Sequence, residues 1–600
     1  MKFLSALLPR GESFLCRHPQ SYGLISLIWL GFLAVVAFLA PLGTLGVTDK
    51  TESLFVEVAH QMYVSGDWIT PRWNGEIFFD YPVWGYWLVA LSFKVWGVSE
   101  AAARLPGALA AIAVVIVGFW VLKDWGLGRG EETLREPQRW LRAWLGAGIL
   151  ALNPAWLAWG RTAVTDMFLA SAITLTLLSF FLGYVQPEQP NRQRLFYYFT
   201  PVSAAIAVLA KGPVGVLLPG LVILCFLVYR GELRQILREV NLGIILILFL
   251  LVVSPWYRLA TQAHGLEFIN SFFGFSNFQR FTSVLYRHAG PWWFYLPWCL
   301  ILLLPWSPFL PLAIAQVEVW RWRDWRKAPR SQQLGPFCCF WLVLILLFFS
   351  SAATKLPGYI LPLIPAAAIL LALFWGQIWT SPQLTRLQSW PFLISAGLNG
   401  LILLALAIAA AISPQLIGTD PAHPALVENL QGLHLPLILA SIISLNTLLF
   451  AVLAFNSHGR GWLWLPNLGF WLGALLWVLP PLGQLMDSQM QKPFRELSRT
   501  VGQVAEPQEP IWVMGYRRYS LVFYSQKPAI FLDDVQYGWE LLQRPHNGHS
   551  SPTVLITGDR AVIERFNLQP QDYQMLGQWG NYQLLRVAKS VLLLRKSQAL

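Results

Sequence analysis

The run ARLPGALAAIAVVIVGFWVL, residues 103–122, is followed directly by KDWGLGRGEETLREPQRWLR, residues 123–142. At about 1.5 Å per residue the first run is as long as the roughly 30 Å hydrocarbon core of a bilayer is thick. The second carries Lys123, Arg129, Arg135, Arg139 and Arg142, the charge type that accumulates on the cytoplasmic side of a membrane. One helix and its orientation are therefore read together: residue 103 outside, residue 123 inside.

Working outward, similar apolar runs recur near 24–42, 141–159, 167–184, 197–210, 213–229, 241–256, 292–315, 336–352, 357–375, 391–412, 435–455 and 462–479. The expectation is an all-α polytopic membrane protein with about thirteen transmembrane helices. The pair 197–210 and 213–229 is short and hinges at Gly212-Pro213, so a re-entrant feature is an alternative there. Loops assigned to the cytoplasm hold Lys2, Arg10 and Arg17, then Arg192, Arg194, Arg230, Arg234 and Arg238, then Arg321, Arg323, Arg326, Lys327 and Arg330. The opposite loops are longer together yet poorer in basic residues, which places the N-terminus in the cytoplasm and the C-terminal tail outside.

Composition agrees. Only 12% of residues are charged, 56% are hydrophobic, and 31 are Trp; the mean hydropathy is +0.50. A soluble chain of this size needs about twice that charge, and Trp collects at membrane interfaces. The net charge of +12 sits in short clusters between apolar runs, so it orients the chain and does not point to nucleic acid. The first run leads to Pro41-Leu42-Gly43, not to a small-residue cleavage site, and reads as a retained helix. No CxxC pair occurs, and the tail has no cysteine.

Residues 83–98 are apolar but rich in Trp and Tyr and carry Lys94. Counting them as a span would move the basic 123–142 loop outside, so they are expected to lie in the interface. The first outer loop then runs over 43–102, a length that usually signals function. The chain divides into a membrane domain, 1–485, and a soluble extracytoplasmic α/β domain, 486–600. In the latter, β-type runs at Ile511–Met514, 554–557 and 582–585 alternate with helix-like segments at 494–504 and 560–565.

Polar residues of chemical interest gather on the outer side. Asp49 and Glu52 follow the first helix at the membrane surface; they read either as solvated loop carboxylates or as groups that act on a lipid head group. If a helix begins near Thr51, Asp49 precedes it as a cap. Asp166 opens an apolar helix, a position that suits the helix dipole and equally marks a site facing the bundle. Lys211 and Lys355 stand beside helix-breaking Gly212-Pro213 and Pro357-Gly358. They read as snorkelling cations or as phosphate ligands, joined by Arg280, Arg287 and His288 from the loop 257–291.

These segments resemble the polyprenyl-phosphate-dependent glycosyltransferases of the C superfamily (GT-C). The lipid A aminoarabinose transferases and bacterial enzymes similar to protein O-mannosyltransferases are the most similar. The matching motifs are Ser65-Gly66-Asp67-Trp68, Phe78-Phe79-Asp80-Tyr81-Pro82 with Gly85-Tyr86-Trp87, and Ala103-Arg104-Leu105-Pro106. Leu209-Ala210-Lys211-Gly212-Pro213, His288-Ala289-Gly290-Pro291-Trp292-Trp293 and Lys355-Leu356-Pro357 with Tyr359 follow in the family's order.

The resemblance implies a GT-C-like fold and an inverting transfer from a polyprenyl-phosphate-linked sugar, hexosyl or pentosyl, to an extracytoplasmic lipid, glycan or protein in the inner or plasma membrane. Such a reaction needs fixed cations for the leaving phosphate and a carboxylate for an acceptor hydroxyl. By resemblance, Glu52 or Asp49 is the base and Asp166 positions acceptor or sugar. Lys211, Arg280 and Lys355, with Tyr81, then hold the donor phosphate.

Two positions depart from the family. Its Asp-Glu pair falls on Thr51-Glu52, and the lysine of its Phe-(Asp/Glu)-Lys-Pro motif is Tyr81. The resemblance also implies a divalent ion at Asp80 and His288, two ligands being short of a zinc shell; a hydrogen bond between the two loops is the other reading. A transporter or flippase of lipid-linked sugar and an inactive lipid-binding relative are the rival classes. Inverted repeats with broken mid-membrane helices would mark the transporter, and none is seen.

Overall fold

A computed structural model describes residues 20–126, 136–272, 274, 283, 289–380, 387–418, 425–457, 459–543, 551–559 and 563–599. Among them nine helices are long and apolar enough to cross a membrane, and eleven if each of two sharply bent pairs counts as one span. The bent pairs are Val214–Arg230 with Leu233–Glu239 and Tyr295–Leu302 with Ser307–Val317. The two remaining sequence runs are helical as well. Residues 141–159 are split between Glu136–Ala151 and Pro154–Gly160, with Asn153 capping the second through the Trp156 amide at 3.0 Å. Residues 197–210 lie within the helix Pro190–Lys211, whose polar first turns lower its average hydropathy.

The two spans most enclosed by protein are Thr165–Tyr184 and Pro357–Ile378. Their first residues lie next to Asp166 and Lys355, so both site candidates sit at the mouths of the most protected helices. The first span ends in a π-helical turn, Ala34–Leu39, which widens the helix and leaves carbonyls without intrahelical partners. Arg161 uses two of them, donating from Nε to Ala37 at 2.5 Å and from Nη2 to Val36 at 3.1 Å.

The loop 43–102 is folded. Helix Thr51–Ser65 is followed by a two-stranded hairpin, β1 (Arg72–Trp73) with β2 (Glu76–Ile77), turning at Asn74-Gly75. Helix Trp84–Trp96 then packs on Thr51–Ser65 through Tyr86, Val89, Ala90 and Phe93 while exposing Leu91, Val95 and Trp96. An outward apolar face on a 13-residue helix is what an interfacial helix presents to lipid.

The C-terminal domain is a five-stranded sheet in the order β4 (Ile530–Leu532), β3 (Ile511–Met514), β5 (Thr553–Asp559), β7 (Tyr582–Ala588), β6 (Tyr573–Trp579). The β3 pairs with β4 and β5 are parallel, and those of β7 with β5 and β6 antiparallel. Alternation along β3 sends Ile511 and Val513 to one face, against Phe494, Leu497, Val501 and Leu521, and Trp512 and Met514 to the other, against Ile563, Phe566 and Leu592. Helices thus cover both faces. The sequence expectation held a sheet of three of these strands; β4 and β6 are additions. Of the helix-like segment 560–565, residues 563–565 are described and form helical turns.

The domain boundary read at residue 486 falls inside a continuous helical rod. From Arg460 to Val504 the chain stays helical for 45 residues, with π-helical turns at Ala474–Val478 and Asp487–Gln491. At about 1.5 Å per residue this is more than twice the thickness of the hydrocarbon core. The rod brings the C-terminal domain to loop 43–102, where the Gly46 amide meets Asp487.

Candidate active site

Glu52 lies in the first turn of helix Thr51–Ser65 and is 2% exposed. Its carboxylate is fully engaged. Arg104 donates from Nε to Oε1 at 2.7 Å and from Nη2 to Oε2 at 2.8 Å. The Ala163 amide donates to Oε1 at 2.9 Å, and the Thr48 amide and hydroxyl donate to Oε2, each at 2.8 Å. Arg104 spends its other hydrogens on the carbonyls of Leu42, Leu45 and Gly46 at 2.9, 2.6 and 2.8 Å. Burial pushes the Glu52 carboxyl up, but the Arg104 charge and the hydrogen bonds outweigh it and hold it below the ordinary carboxylate value. A carboxylate with every lone pair taken is a poor proton acceptor. Glu52 is placed as a tie between Thr48 after the first span, Ala163 before helix Thr165–Tyr184, and Arg104 on helix Glu100–Trp125.

The Ala163 amide leads directly to Asp166. Helix Thr165–Tyr184 begins there, and Thr165 Oγ1 donates to the Ala210 carbonyl at 2.7 Å. That bond joins the start of one helix to the end of Pro190–Lys211, and the Asp166 carboxylate forms an ion pair with Lys211 Nζ. Gly212 ends the second helix with φ +81°, a conformation L side chains rarely adopt, which frees the chain to turn away just beyond Lys211. Two rings wall in the ammonium: Nζ is 5.5 Å from the centre of Tyr81 and 5.0 Å from that of Tyr359. Asp166 and Lys211 retain 19% and 12% side-chain exposure, so the pair is partly shielded and reachable.

Tyr359 arrives on the turn Pro357–Leu363. A Cβ on Gly358 would come within 2.7 Å of the Trp159 ring, so only glycine lets this turn lie against it. Lys355 precedes the turn but points elsewhere. Its ammonium donates to the carbonyls of Ser350, at 2.8 Å, and Ala352 at the end of helix Leu334–Ser351, and lies 6.0 Å from the Tyr295 ring. Burial holds its pKa below the ordinary lysine value. Lys355 is thus a helix C-terminal cap beside the site.

Asp49 is committed to the soluble domain. It accepts from the Ser520 amide at 2.8 Å and the Ser520 hydroxyl at 2.9 Å, and burial raises its carboxyl although these bonds lower it. Neighbouring contacts complete the seam. The Gly46 amide donates to Asp487 at 2.7 Å, the Val47 amide to the Tyr524 hydroxyl at 2.8 Å, and that hydroxyl to Glu100 at 3.0 Å. Asn74 and the Ala529 backbone exchange two hydrogen bonds of 2.8 Å, and Trp73 packs on Tyr519 and Phe531.

Asp80 and Tyr81 are carried by the segment between the hairpin and helix Trp84–Trp96. Burial, and after it the Asp80 charge, pushes the Tyr86 hydroxyl up, while Tyr81 faces Lys211. Arg280 and His288 lie outside the described residues, and so does Arg287. Among the described residues no three His, Cys, Asp or Glu side chains converge, so a divalent ion at Asp80 would draw its other ligands from beyond them. A separate apolar cavity of about 450 Å³ is lined by Leu88, Leu105, Leu109, Phe168, Ala172 and Ile206; neither Asp166 nor Lys211 borders it.

Sequence reasoning selected Asp166 and Lys211 separately but not their pairing, and it missed Arg104 as the partner of Glu52. The available signal was a single arginine at the end of an apolar run, the kind of intramembrane charge that demands a partner.

Comparison with known proteins follows this geometry. Residues 42–269 match the family model for dolichyl-phosphate-mannose-protein mannosyltransferase, and residues 504–600 match the C-terminal domain of cyanobacterial RgtA-type glycosyltransferase. The chain is 28% identical to the undecaprenyl phosphate-alpha-4-amino-4-deoxy-L-arabinose arabinosyl transferase of Aeromonas salmonicida, over 77% of this chain and 78% of that one. It is 31% identical to the enzyme of the same name from Pseudomonas aeruginosa, over 63% and 64%. In fold it is similar to ArnT from Cupriavidus metallidurans bound to undecaprenyl phosphate, with a TM-score of 0.73 at 20% identity, over 94% of this chain and 98% of that one.

Proposed function

We infer that this chain is a membrane glycosyltransferase of the GT-C fold, which moves a sugar from a polyprenyl-phosphate donor to an extracytoplasmic lipid, glycan or protein. The donor phosphate and the acceptor meet at the Asp166–Lys211 pair. The single observation that carries this placement is the pair itself: a carboxylate and an ammonium closed between two tyrosines.

The reaction is an inverting displacement. An acceptor oxygen attacks the anomeric carbon opposite the phosphate, the bond from that carbon to the phosphate oxygen breaks, and its electron pair leaves on the phosphate. Lys211 offsets the charge that develops there. In the resting site Lys211 is bound to Asp166; once the donor phosphate engages Lys211, the Asp166 carboxylate is released to orient the acceptor and to take the proton of an acceptor hydroxyl. Glu52 and Arg104 act one step back, holding residues 161–165 and with them Asp166. Asp49 holds the C-terminal domain against the first outer loop.

In the cell, this reading places the protein in the inner or plasma membrane, with the N-terminus cytoplasmic and residues 486–600 outside. The basic loops support that orientation, and the seam at Asp49 and Asn74 keeps the domain on the face of the first loop. The test is transfer from polyprenyl-phosphate sugar in membranes at matched protein level. Asp166→Asn is expected to lose about 10²–10⁴-fold in rate, and Lys211→Ala to weaken donor binding as well. Near-wild-type transfer by both variants would move the site elsewhere.

A further inference from the structure

At the other end of helix Pro190–Lys211 lies a second cavity, of about 600 Å³ and polar, between its first turns and the start of helix Leu242–Ile269. Arg194 and Lys211 are separated by about 25 Å along this helix at 1.5 Å per residue, close to the thickness of a hydrocarbon core. The cavity therefore opens at the membrane face opposite the Asp166–Lys211 pair.

Its lining is unbalanced in charge. Arg194, Arg238 and Glu239 all border it, but Glu239 is already neutralised. Arg330 donates to both of its oxygens at 2.8 and 3.0 Å, and Gln235 and Gln193 donate at 2.9 and 3.2 Å. Neither Arg194 nor Arg238 makes an ion pair with a described residue. Tyr197 also borders the cavity, but its hydroxyl is sealed from it and its ring packs on Phe180. Two cations thus face a space whose one carboxylate is already paired.

The surface next to the cavity identifies the anion's carrier. Leu195 and Phe199 on one helix, and Leu242 and Leu246 on the other, are exposed, a surface that acyl chains cover and water does not favour. We propose that the cavity binds the phosphate head group of an anionic glycerophospholipid. Arg194 and Arg238 engage the phosphodiester through their guanidinium forks, and the acyl chains run along Leu195, Phe199, Leu242 and Leu246. The site is separate from catalysis and does not depend on the donor assignment.

The test uses the full-length protein in detergent and native mass spectrometry with three probes: phosphatidylglycerol, phosphatidylcholine and inorganic phosphate. Wild type is expected to retain phosphatidylglycerol selectively. Arg194→Ala with Arg238→Ala is expected to lower that retention about tenfold or more. The control is Arg192→Ala with Arg234→Ala, which removes the same charge from exposed positions of the same two segments without touching the lining; its retention stays at the wild-type level. Thermal unfolding of each variant checks that the fold is intact, as exposed arginines predict. Equal retention of phosphatidylcholine, unchanged retention in the Arg194/Arg238 variant, or an equal loss in the control overturns the site. Retention of inorganic phosphate in place of the lipid overturns the lipid as its occupant.

Discussion

The carboxylate of Glu52 meets the guanidinium of Arg104 side-on, with Nε to Oε1 at 2.7 Å and Nη2 to Oε2 at 2.8 Å, in a place closed to solvent. Removing one member of such a buried pair strands the other charge and typically costs about 3–5 kcal/mol. Arg104→Ala is expected to fall in that range, because it also abandons three carbonyls. Glu52→Gln keeps the shape and is expected to be milder. Thermal unfolding in detergent checks both. If Glu52→Gln instead abolishes transfer at full thermal stability, Glu52 is a base after all.

The same pair predicts how stability depends on pH. Glu52 titrates below its unfolded value of 4.5, so its contribution is complete above that value and is lost as pH falls through the lower folded one. Asp49 has the opposite sign: its raised value contributes at low pH and is lost as pH rises through it. The acid limb of a stability profile should therefore flatten in Glu52→Gln and steepen in Asp49→Asn. A limb of equal slope in wild type and Glu52→Gln contradicts the assignment.

At the seam, Asp49 and Ser520 share two hydrogen bonds. Ser520→Ala removes one of them and leaves the Ser520 amide in place; a loss of about 1 kcal/mol is expected. Limited proteolysis should cut the C-terminal domain faster in Ser520→Ala with Asn74→Ala than in wild type. Unchanged cleavage means that the aromatic contacts of Trp73 hold the domain by themselves.

Tyr359 separates two roles for an aromatic side chain. If its ring steadies the Lys211 ammonium, worth about 0.5–2 kcal/mol, Tyr359→Phe keeps donor KM near the wild-type value and Tyr359→Leu raises it several-fold. A loss shared equally by both variants shows that the hydroxyl acts, not the ring.

Residue type and spacing made the membrane class and the helix within 83–98 readable, because bilayer thickness and lipid polarity act on the sequence locally. The outer domain was half readable. β3, β5 and β7 are apolar enough to stand out, whereas β4 is three residues long and β6 carries Gln574, Gly577 and Gln578 on a largely exposed strand. The site was readable as a set of charges but not as pairs. Glu52 finds Arg104 across 52 positions and Asp49 finds Ser520 across 471, separations that no local pattern encodes. Lys355 read as a snorkelling cation or a phosphate ligand beside Pro357-Gly358, yet its ammonium donates to the carbonyls closing helix Leu334–Ser351.

The rod from Arg460 to Val504 has one further consequence, which concerns phase. A helix turns about 100° per residue, so one residue added between the membrane and Lys492 would swing the outer domain by more than a quarter of a circle and lift it about 1.5 Å. Ser520 would then face away from Asp49. The π-helical turns at Ala474–Val478 and Asp487–Gln491 are places where an α-helix accommodates an extra residue. They act as angular offsets that bring the outer domain into azimuthal alignment with the loop it closes.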